Sequence, residues 1–337
     1  MHLPEWTRTA LAVATVSPLL LGSAGIMASD DSLDVAMLIP GEIDDNGFME
    51  AGYEGLLQIE SELGATITYR DRVPPESQAL EQALAALAAE GPDLIIAHGG
   101  QNAEAVLAVA DDYPDVQFSV TQGGVTADNV SSYEVLQEES AWLAGAAAGL
   151  MTESNVVGHI SGIRVTPGLK GRGGFYHGLM HTNPEAEFLT IFAGDQDDTE
   201  LARRVTDAEA EAGADLIFTM LNAGRQGAIE AMQARGDVHQ FGNVREWHEE
   251  YPDVFVGSAV ADVSMAGFLA AKAMQDGSWQ PGEIVSIGLE NPDAVRLSLA
   301  PSVSAEVRER VATLTEDIAA GRIEVHTDYE GPEFVVE

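Results

Sequence analysis

Residues 34–70 read DVAMLIPGEIDDNGFMEAGYEGLLQIESELGATITYR, and this segment contains a complete strand, helix and strand pattern. The apolar run at 34–40 has the composition of a buried strand, and a second run of strand-forming residues lies at 65–70. Between them, apolar residues recur at helical spacing from about Gly47 to Leu63. Strand, helix and strand in this order predict a βαβ unit, whose two strands are parallel.

The same alternation continues along the chain and divides into two sets. The strand-like runs are 34–40, 65–70, 94–99 and 117–122 in the first set, 156–161, 187–194, 216–221 and 239–244 in the second, and then 254–260 and 283–289. We expect an α/β protein of two Rossmann-like lobes with parallel sheets, joined by a hinge. The returning runs should complete the lobes, which gives a first lobe of 31–135 plus 250–280 and a second lobe of 136–249 plus 281–330.

The composition excludes several classes of function. The chain has 55 acidic and 16 basic residues, a formal charge of −39, so it lacks the basic surface that nucleic acid requires. It has no cysteine, which excludes disulfides, thiolate metal sites and a lipoprotein anchor. The acidic residues are dispersed along the chain, as in proteins that work at high salt, and a halophilic source is our hypothesis.

The first segment has the layout of a secretory signal peptide. Residues 1–28 combine Arg8, an apolar stretch and small residues before Ala28. A membrane anchor is the alternative, but Pro18 interrupts the apolar stretch. We therefore expect cleavage near Ala28 and a location in the periplasm.

Ligands of open parallel sheets bind beyond the carboxyl ends of the strands, so residues that follow strands are the candidates. Asp45 could accept hydrogen bonds from a ligand, and Asn46 has the residue type of a helix N-cap. Phe48 begins the first helix, where its ring either stacks on a planar ligand or packs in the core. His98 and Gln101 follow the third strand and either contact the ligand or form a turn.

Further candidates follow the later strands. Gln122 ends the fourth run, and Trp142 on the next helix either walls the cleft or packs in the core. The candidates of the second lobe are Asn222, Arg225, Arg245 and Trp247. Each of the two arginines either grips an anionic or carbonyl group of the ligand or pairs with a surface acid.

Four motifs occur in register along the chain. Residues 41–56 contain Asp45, Phe48 and Tyr-Glu-Gly-Leu, and residues 138–145 read EESAWLAG. GFYHG at 174–178 is followed by Asn-Pro, and GADLIF stands at 213–218. This pattern resembles the BMP family of substrate-binding proteins (basic membrane protein, or Med/PnrA-like receptors). The resemblance implies a type I periplasmic-binding fold and a role in ABC import.

The same resemblance implies purine nucleosides as the usual ligands, with nucleobases and riboflavin in some branches. The chain departs from the family pattern at several places, among them the following. Met49 replaces an Asn that follows the Phe, Gln122 replaces an Asp, and 242–246 read GNVRE where the family has Gly-x-Asp-x-Asp. Two ligand classes therefore stay open: a purine-like heterocycle, or a different ligand such as an anion.

Enzymatic chemistry has little support in the sequence. The GxSxG, HExxH and P-loop patterns are missing, and we expect no cofactor and no metal site. A periplasmic nucleoside hydrolase is the enzymatic alternative. The receptor interpretation implies a small-molecule ligand, an inner-membrane permease with its ATPase as partners, and a monomer.

Overall fold

A computed structural model describes residues 32–45 and 47–336. The expected signal peptide at 1–28 and the expected cap residue Asn46 lie outside the described residues. Within the described part, twelve β-strands alternate with nine α-helices. No helix in these two ranges has the length and apolarity needed to cross a membrane.

The strands form two six-stranded sheets, one in each lobe. The first sheet has the order β2-β1-β3-β4-β5-β11, with β1 (Asp34–Leu38), β2 (Thr66–Arg70), β3 (Leu94–Ala97), β4 (Gln117–Thr121), β5 (Val130–Val135) and β11 (Ile284–Ile287). The second has the order β7-β6-β8-β9-β10-β12, with β6 (Val156–Ser161), β7 (Glu187–Phe192), β8 (Leu216–Met220), β9 (His239–Val244), β10 (Phe255–Ala261) and β12 (Val295–Leu299). All pairings are parallel except β10 with β12. The matching strand orders confirm the two Rossmann-like lobes.

Helices pack on the sheets of both lobes. The first lobe has α1 (Phe48–Leu63), α2 (Ser77–Ala88), α3 (Ala103–Ala110) and α8 (Ser264–Asp276). The second has α4 (Gln137–Met151), α5 (Thr166–Thr182), α6 (Thr199–Glu211), α7 (Arg225–Arg235) and α9 (Ala305–Ala319). The helix α1 ends at Gly64, whose φ of 68° is the left-handed conformation that glycine adopts without strain.

Two helices pack on the lobe opposite to the strand that precedes them. The helix α4 follows β5 but packs against α5, α9 and β10, whereas α8 follows β10 but packs against α1. The chain therefore crosses between the lobes at Leu136, at 262–263 and at 288–294. The crossings adjoin, because the backbone N–H of Leu136 donates to the carbonyl of Ile287 at 2.8 Å. These segments form the hinge.

Two returning strands lie in the sheets opposite to those expected. The segment 250–280 was expected in the first lobe, but β10 pairs with β9 and β12 in the second sheet. The segment 281–330 was expected in the second lobe, but β11 pairs with β5 in the first. The assignments of these two strands were wrong, because an apolar run indicates a buried strand without indicating its partner. The helices α8 and α9 of the same segments lie in the lobes expected for them.

The strand β5 was not predicted, because its sequence VSSYEV is partly polar. Ser131 and Ser132 are nevertheless fully buried. Their hydroxyls donate to the carbonyls of Gln280 at 2.8 Å and Val125 at 2.7 Å. Since each buried hydroxyl has a partner, the strand can occupy the interior of the sheet without apolar residues at these positions.

Candidate ligand-binding site

A cavity of about 460 Å³ lies between the two lobes. One wall comes from α1 of the first lobe, and the other comes from the ends of β9 and β10 and the start of β12. The lining residues are Gly47, Glu50, Ala51, Glu54, Val244, Arg245, Glu246, Val260, Asp262, Asp293 and Arg296. A cavity of this size fits a small organic molecule.

Asp45 caps the first helix beside this cavity. Its Oδ1 accepts hydrogen bonds from the backbone N–H groups of Gly47 at 2.8 Å and Glu50 at 3.1 Å, and its Oδ2 accepts from Met49 at 3.3 Å. Burial raises the pKa of Asp45, the three N–H donors oppose the rise, and Asp197 adds to it. Asp45 thus satisfies three backbone N–H groups at the start of α1.

Asp45 also joins the two lobes. The side-chain amide of Asn222, which follows β8, donates to Asp45 Oδ2 at 3.0 Å. Gly47 makes this approach possible, because a Cβ at that position would lie 2.4 Å from Asn222 Oδ1. Two predicted site residues from different lobes are therefore in direct contact.

Phe48 and His98 form a stacked pair in the first lobe. Their ring centroids are 4.3 Å apart with an interplanar angle of 27°. His98 Nε2 donates to the Phe48 carbonyl at 2.8 Å, and Nδ1 lies 3.1 Å from the hydroxyl of Thr121. Burial lowers the pKa of His98 to about 4, so the ring is neutral at pH 7. Here His98 fixes the start of α1 against the sheet.

Four other predicted residues have roles that differ from one another. Met49 packs against the core at the start of α1, and Gln101 is exposed. The Gln122 amide is paired with the backbone of Val135 through bonds of 2.9 and 2.6 Å. Trp142 lies on α4, is 2% exposed and packs in a hydrophobic core. For Trp142 the structure agrees with core packing, the alternative to an aromatic wall.

Arg225 is buried beneath the second-lobe wall of the site. Its Nη2 donates to the Leu221 carbonyl and to Asn243 Oδ1, and its guanidinium carbon lies 4.1 Å from the centroid of the Trp247 ring. Among the described residues, Nε and Nη1 have no hydrogen-bond partner. Burial and Arg245 lower the pKa of Arg225 to about 9, while Asp45 opposes this effect. Arg225 thus joins the ends of β8 and β9.

Arg245 lines the cavity and lies over the same tryptophan. Its guanidinium carbon is 3.8 Å from the Trp247 centroid, and Nη2 lies 3.5 Å from Glu250. Trp247 itself is buried, and its indole N–H donates to the Asn243 carbonyl at 2.9 Å. The neighbouring Val244 has a φ of 69°, which is strained for a β-branched residue. The cavity wall is therefore held in an unusual backbone conformation.

Several lining residues were not predicted as site residues. Glu50 and Glu54 follow Gly47 with i, i+4 spacing on one face of α1, a pattern that the sequence does contain. Glu246 and Asp262 follow β9 and β10, where the strand-end rule could have found them. Asp293 and Arg296, the lining residues next to β12, could not be found by the strand-end rule, because that strand was not predicted.

Acidic groups outnumber basic groups in the cavity. Five carboxylates and two arginines line it. Burial, Glu50 and Asp262 raise the pKa of Glu54. Arg296 donates to Glu246 at 3.0 Å, so its charge is already compensated. Such a cavity favours ligands that donate O–H or N–H groups. Within residues 32–45 and 47–336, no cluster of acidic or histidine side chains could hold a metal ion.

Residues 32–328 match the family model of PnrA-like ABC transporter substrate-binding proteins. The chain belongs to this family. This is a family of substrate-binding receptors and not of enzymes.

Two relatives and one solved structure illustrate the family. A purine-binding protein of Brucella abortus is 25% identical, over 81% of this chain and 77% of that protein. A putative ABC transporter glucose-binding protein of Haloferax volcanii is 27% identical, over 65% of this chain and 55% of that protein. The crystal structure of ABC transporter solute-binding proteins from Aeropyrum pernix has a TM-score of 0.76 at 21% identity, covering 89% of this chain and 94% of that one. This likeness shows the two-lobe fold of periplasmic binding proteins.

Proposed function

We propose that this receptor captures a purine nucleoside, a nucleobase or a similar heterocycle between its lobes and delivers it to an inner-membrane ABC permease. The observation that carries the proposal is the cavity of about 460 Å³ with one wall on each lobe. A ligand bound there contacts both lobes at once, so binding favours the conformation in which they meet. The permease can then distinguish the loaded receptor by its shape.

The polar groups around the cavity suit a nucleoside. Glu54 and Asp262 stand on opposite walls and can accept hydrogen bonds from sugar hydroxyls. Phe48 and Asp45 lie at the adjoining end of α1, where an aromatic ring and a carboxylate can bind a base. The purine-binding relative is consistent with this ligand class.

An anionic ligand has less support. Arg245 lines the cavity but stacks on Trp247 and lies near Glu250, while Arg225 is buried beneath the wall. The five carboxylates that line the cavity would repel an anion. The nucleoside hydrolase alternative is set aside, because the family consists of receptors.

A free monosaccharide is the second candidate. The cavity lining has no aromatic side chain, and its carboxylates and arginines are typical partners of sugar hydroxyls. The glucose-binding relative is consistent with this class. The two candidates differ in the aromatic base, which a nucleoside or nucleobase contains and a free monosaccharide lacks.

The first experiment is to denature the purified protein and identify any released small molecule by mass spectrometry. Melting curves with adenosine, inosine, adenine, ribose and glucose then rank the ligands, because a bound ligand raises the melting temperature. Release of a nucleoside or nucleobase supports the proposal, and so does a melting temperature that rises with these compounds but not with the sugars. A response to glucose or ribose alone supports the second candidate, and a released organic anion contradicts both.

The variant Glu54→Gln tests whether the cavity is the site. We expect about tenfold weaker binding of the best ligand, because a charged acceptor is lost. The control is Glu60→Gln, which makes the same change on α1 outside the cavity lining. Isothermal titration calorimetry measures both affinities, and equal affinities in the two variants would place the ligand elsewhere.

A further inference from the structure

A lysine of the second lobe reaches to the first lobe beside the hinge. Lys170 on α5 has its Nζ 3.3 Å from Glu138 Oε1 and 3.6 Å from Glu134 Oε2. Glu138 lies on α4, which packs against α5 within the second lobe. Glu134 lies on β5 of the first sheet. One ion pair is therefore internal to a lobe, and the other crosses between the lobes.

The two carboxylates flank a hinge segment. Glu134 precedes and Glu138 follows Leu136, where the chain crosses from β5 to α4. The side chains of Glu134 and Glu138 are 17% and 12% exposed, so salt screens their interaction with Lys170 less than a surface pair. Burial alone lowers the pKa of Lys170, but Glu138 and Glu134 raise it above its ordinary value. Lys170 is thus charged at neutral pH.

We propose that Lys170 is an affinity-determining residue of this receptor, because its ion pair with Glu134 stabilises the conformation in which the lobes meet. When the lobes separate, Glu138 keeps the ammonium group close to Leu136, where the chain crosses between the lobes. The ion pair of Lys170 with Glu134 can therefore re-form as soon as the lobes meet. Loss of this pair lowers the fraction of binding-competent molecules, and the apparent affinity falls by the same factor. The affinity part rests on the proposed function, whereas the conformational part does not.

The chain offers a matched control. It has only two lysines, Lys170 and Lys272. Lys272 pairs with Asp276 at 2.8 Å, four residues further along α8 and within one lobe. Lys170→Met and Lys272→Met each remove one ammonium group. The first removes the pairs with Glu138 and Glu134, whereas the second removes only the pair within its lobe. Only Lys170→Met therefore removes a contact between the lobes.

The absence of cysteine allows a direct measurement of lobe separation. Gln82→Cys on α2 and Gln233→Cys on α7 introduce exposed spin-label sites, one on each lobe. Pulsed electron–electron double resonance then gives the distance distribution of the ligand-free protein. We expect Lys170→Met to increase the ratio of long to short distances about two- to fivefold. Lys272→Met should leave that ratio unchanged, and an unchanged ratio in Lys170→Met overturns the proposal.

Two further measurements separate the cross-lobe pair from a general structural effect. Glu134→Gln should increase the ratio of long to short distances as Lys170→Met does. If Lys170→Met increases this ratio and Glu134→Gln leaves it unchanged, the proposal is overturned. Both lysine variants should lower the melting temperature only slightly, because the ion pairs that they lose are partly exposed. With adenosine as the probe, its dissociation constant should rise by the factor by which the fraction of short distances falls. If adenosine, inosine and adenine all fail to bind the unmodified chain, the ligand proposal fails. The distance measurement on the ligand-free protein still tests the conformational role of Lys170.

Discussion

Glu209 illustrates at the residue scale how burial controls a charge. It lies on α6 and is fully buried, and neither carboxyl oxygen has a hydrogen-bond partner among the described residues. Burial raises its pKa well above the ordinary value of 4.5, and the backbone of His159 opposes this only in part. The folded protein therefore holds a proton that the unfolded chain releases above about pH 4.5.

We expect the stabilisation by Glu209→Gln to grow as the pH rises above 4.5, the ordinary value, until the pH reaches the raised pKa of the folded state. Between the two pKa values the folded state binds more protons, so the stability of the unmodified chain falls by about 1.4 kcal/mol per pH unit. The variant has no such loss. Melting curves at each pH measure the difference, with the exposed Glu211→Gln on the same helix as control. A difference that stays constant over this range would contradict the predicted ionisation.

The contact of α4 with α5 illustrates packing at the element scale. Gly178 on α5 lies against α4, and a Cβ at this position would be 1.9 Å from the carbonyl oxygen of Trp142. Gly145 on α4 has the reciprocal contact, 1.9 Å from the carbonyl of Phe175. Helices approach this closely only where glycine removes the side chain. This contact also fixes α5, which carries Lys170.

We expect Gly178→Ala to destabilise the protein by about 1–3 kcal/mol, because the methyl group overlaps backbone that cannot move aside. Gly267→Ala on α8 is the control, since its Cβ would meet side chains at an ordinary 3.5 Å. That substitution should stabilise the helix by about 0.5–1 kcal/mol. Urea unfolding measures both changes, and equal changes would mean that the close approach of α4 and α5 is not restrictive.

Net charge acts at the scale of the whole molecule. With 55 acidic and 16 basic residues, the folded chain concentrates like charges that repel each other. Screening shortens from about 10 Å at 0.1 M salt to about 3 Å at 1 M. We therefore expect the melting temperature to rise from 0.1 to 2 M KCl, and to rise equally in NaCl of the same ionic strength. Equal melting temperatures at low and high salt would contradict the halophilic hypothesis.

The lobe assignment and several side-chain contacts could not be predicted from the sequence, for reasons visible at particular residues. Asp45 was predicted as a ligand acceptor, yet it also caps α1 and binds Asn222, which is 177 positions away in the chain. Gln122 was a candidate, but its amide is occupied by Val135 once β4 and β5 pair. Whether these residues also contact a ligand stays a prediction. Each contact depends on chain segments that are distant in sequence.

The α/β class, the repeated strand and helix order and the resemblance to the family could be predicted from the sequence, because they depend on apolar periodicity and on short motifs within single segments. The folded structure was needed to show which sheets β10 and β11 join, which carboxylates line the cavity, and that Lys170 reaches Glu134. Local patterns specify which face of an element is buried, whereas partners across a cleft are specified only when the lobes are assembled.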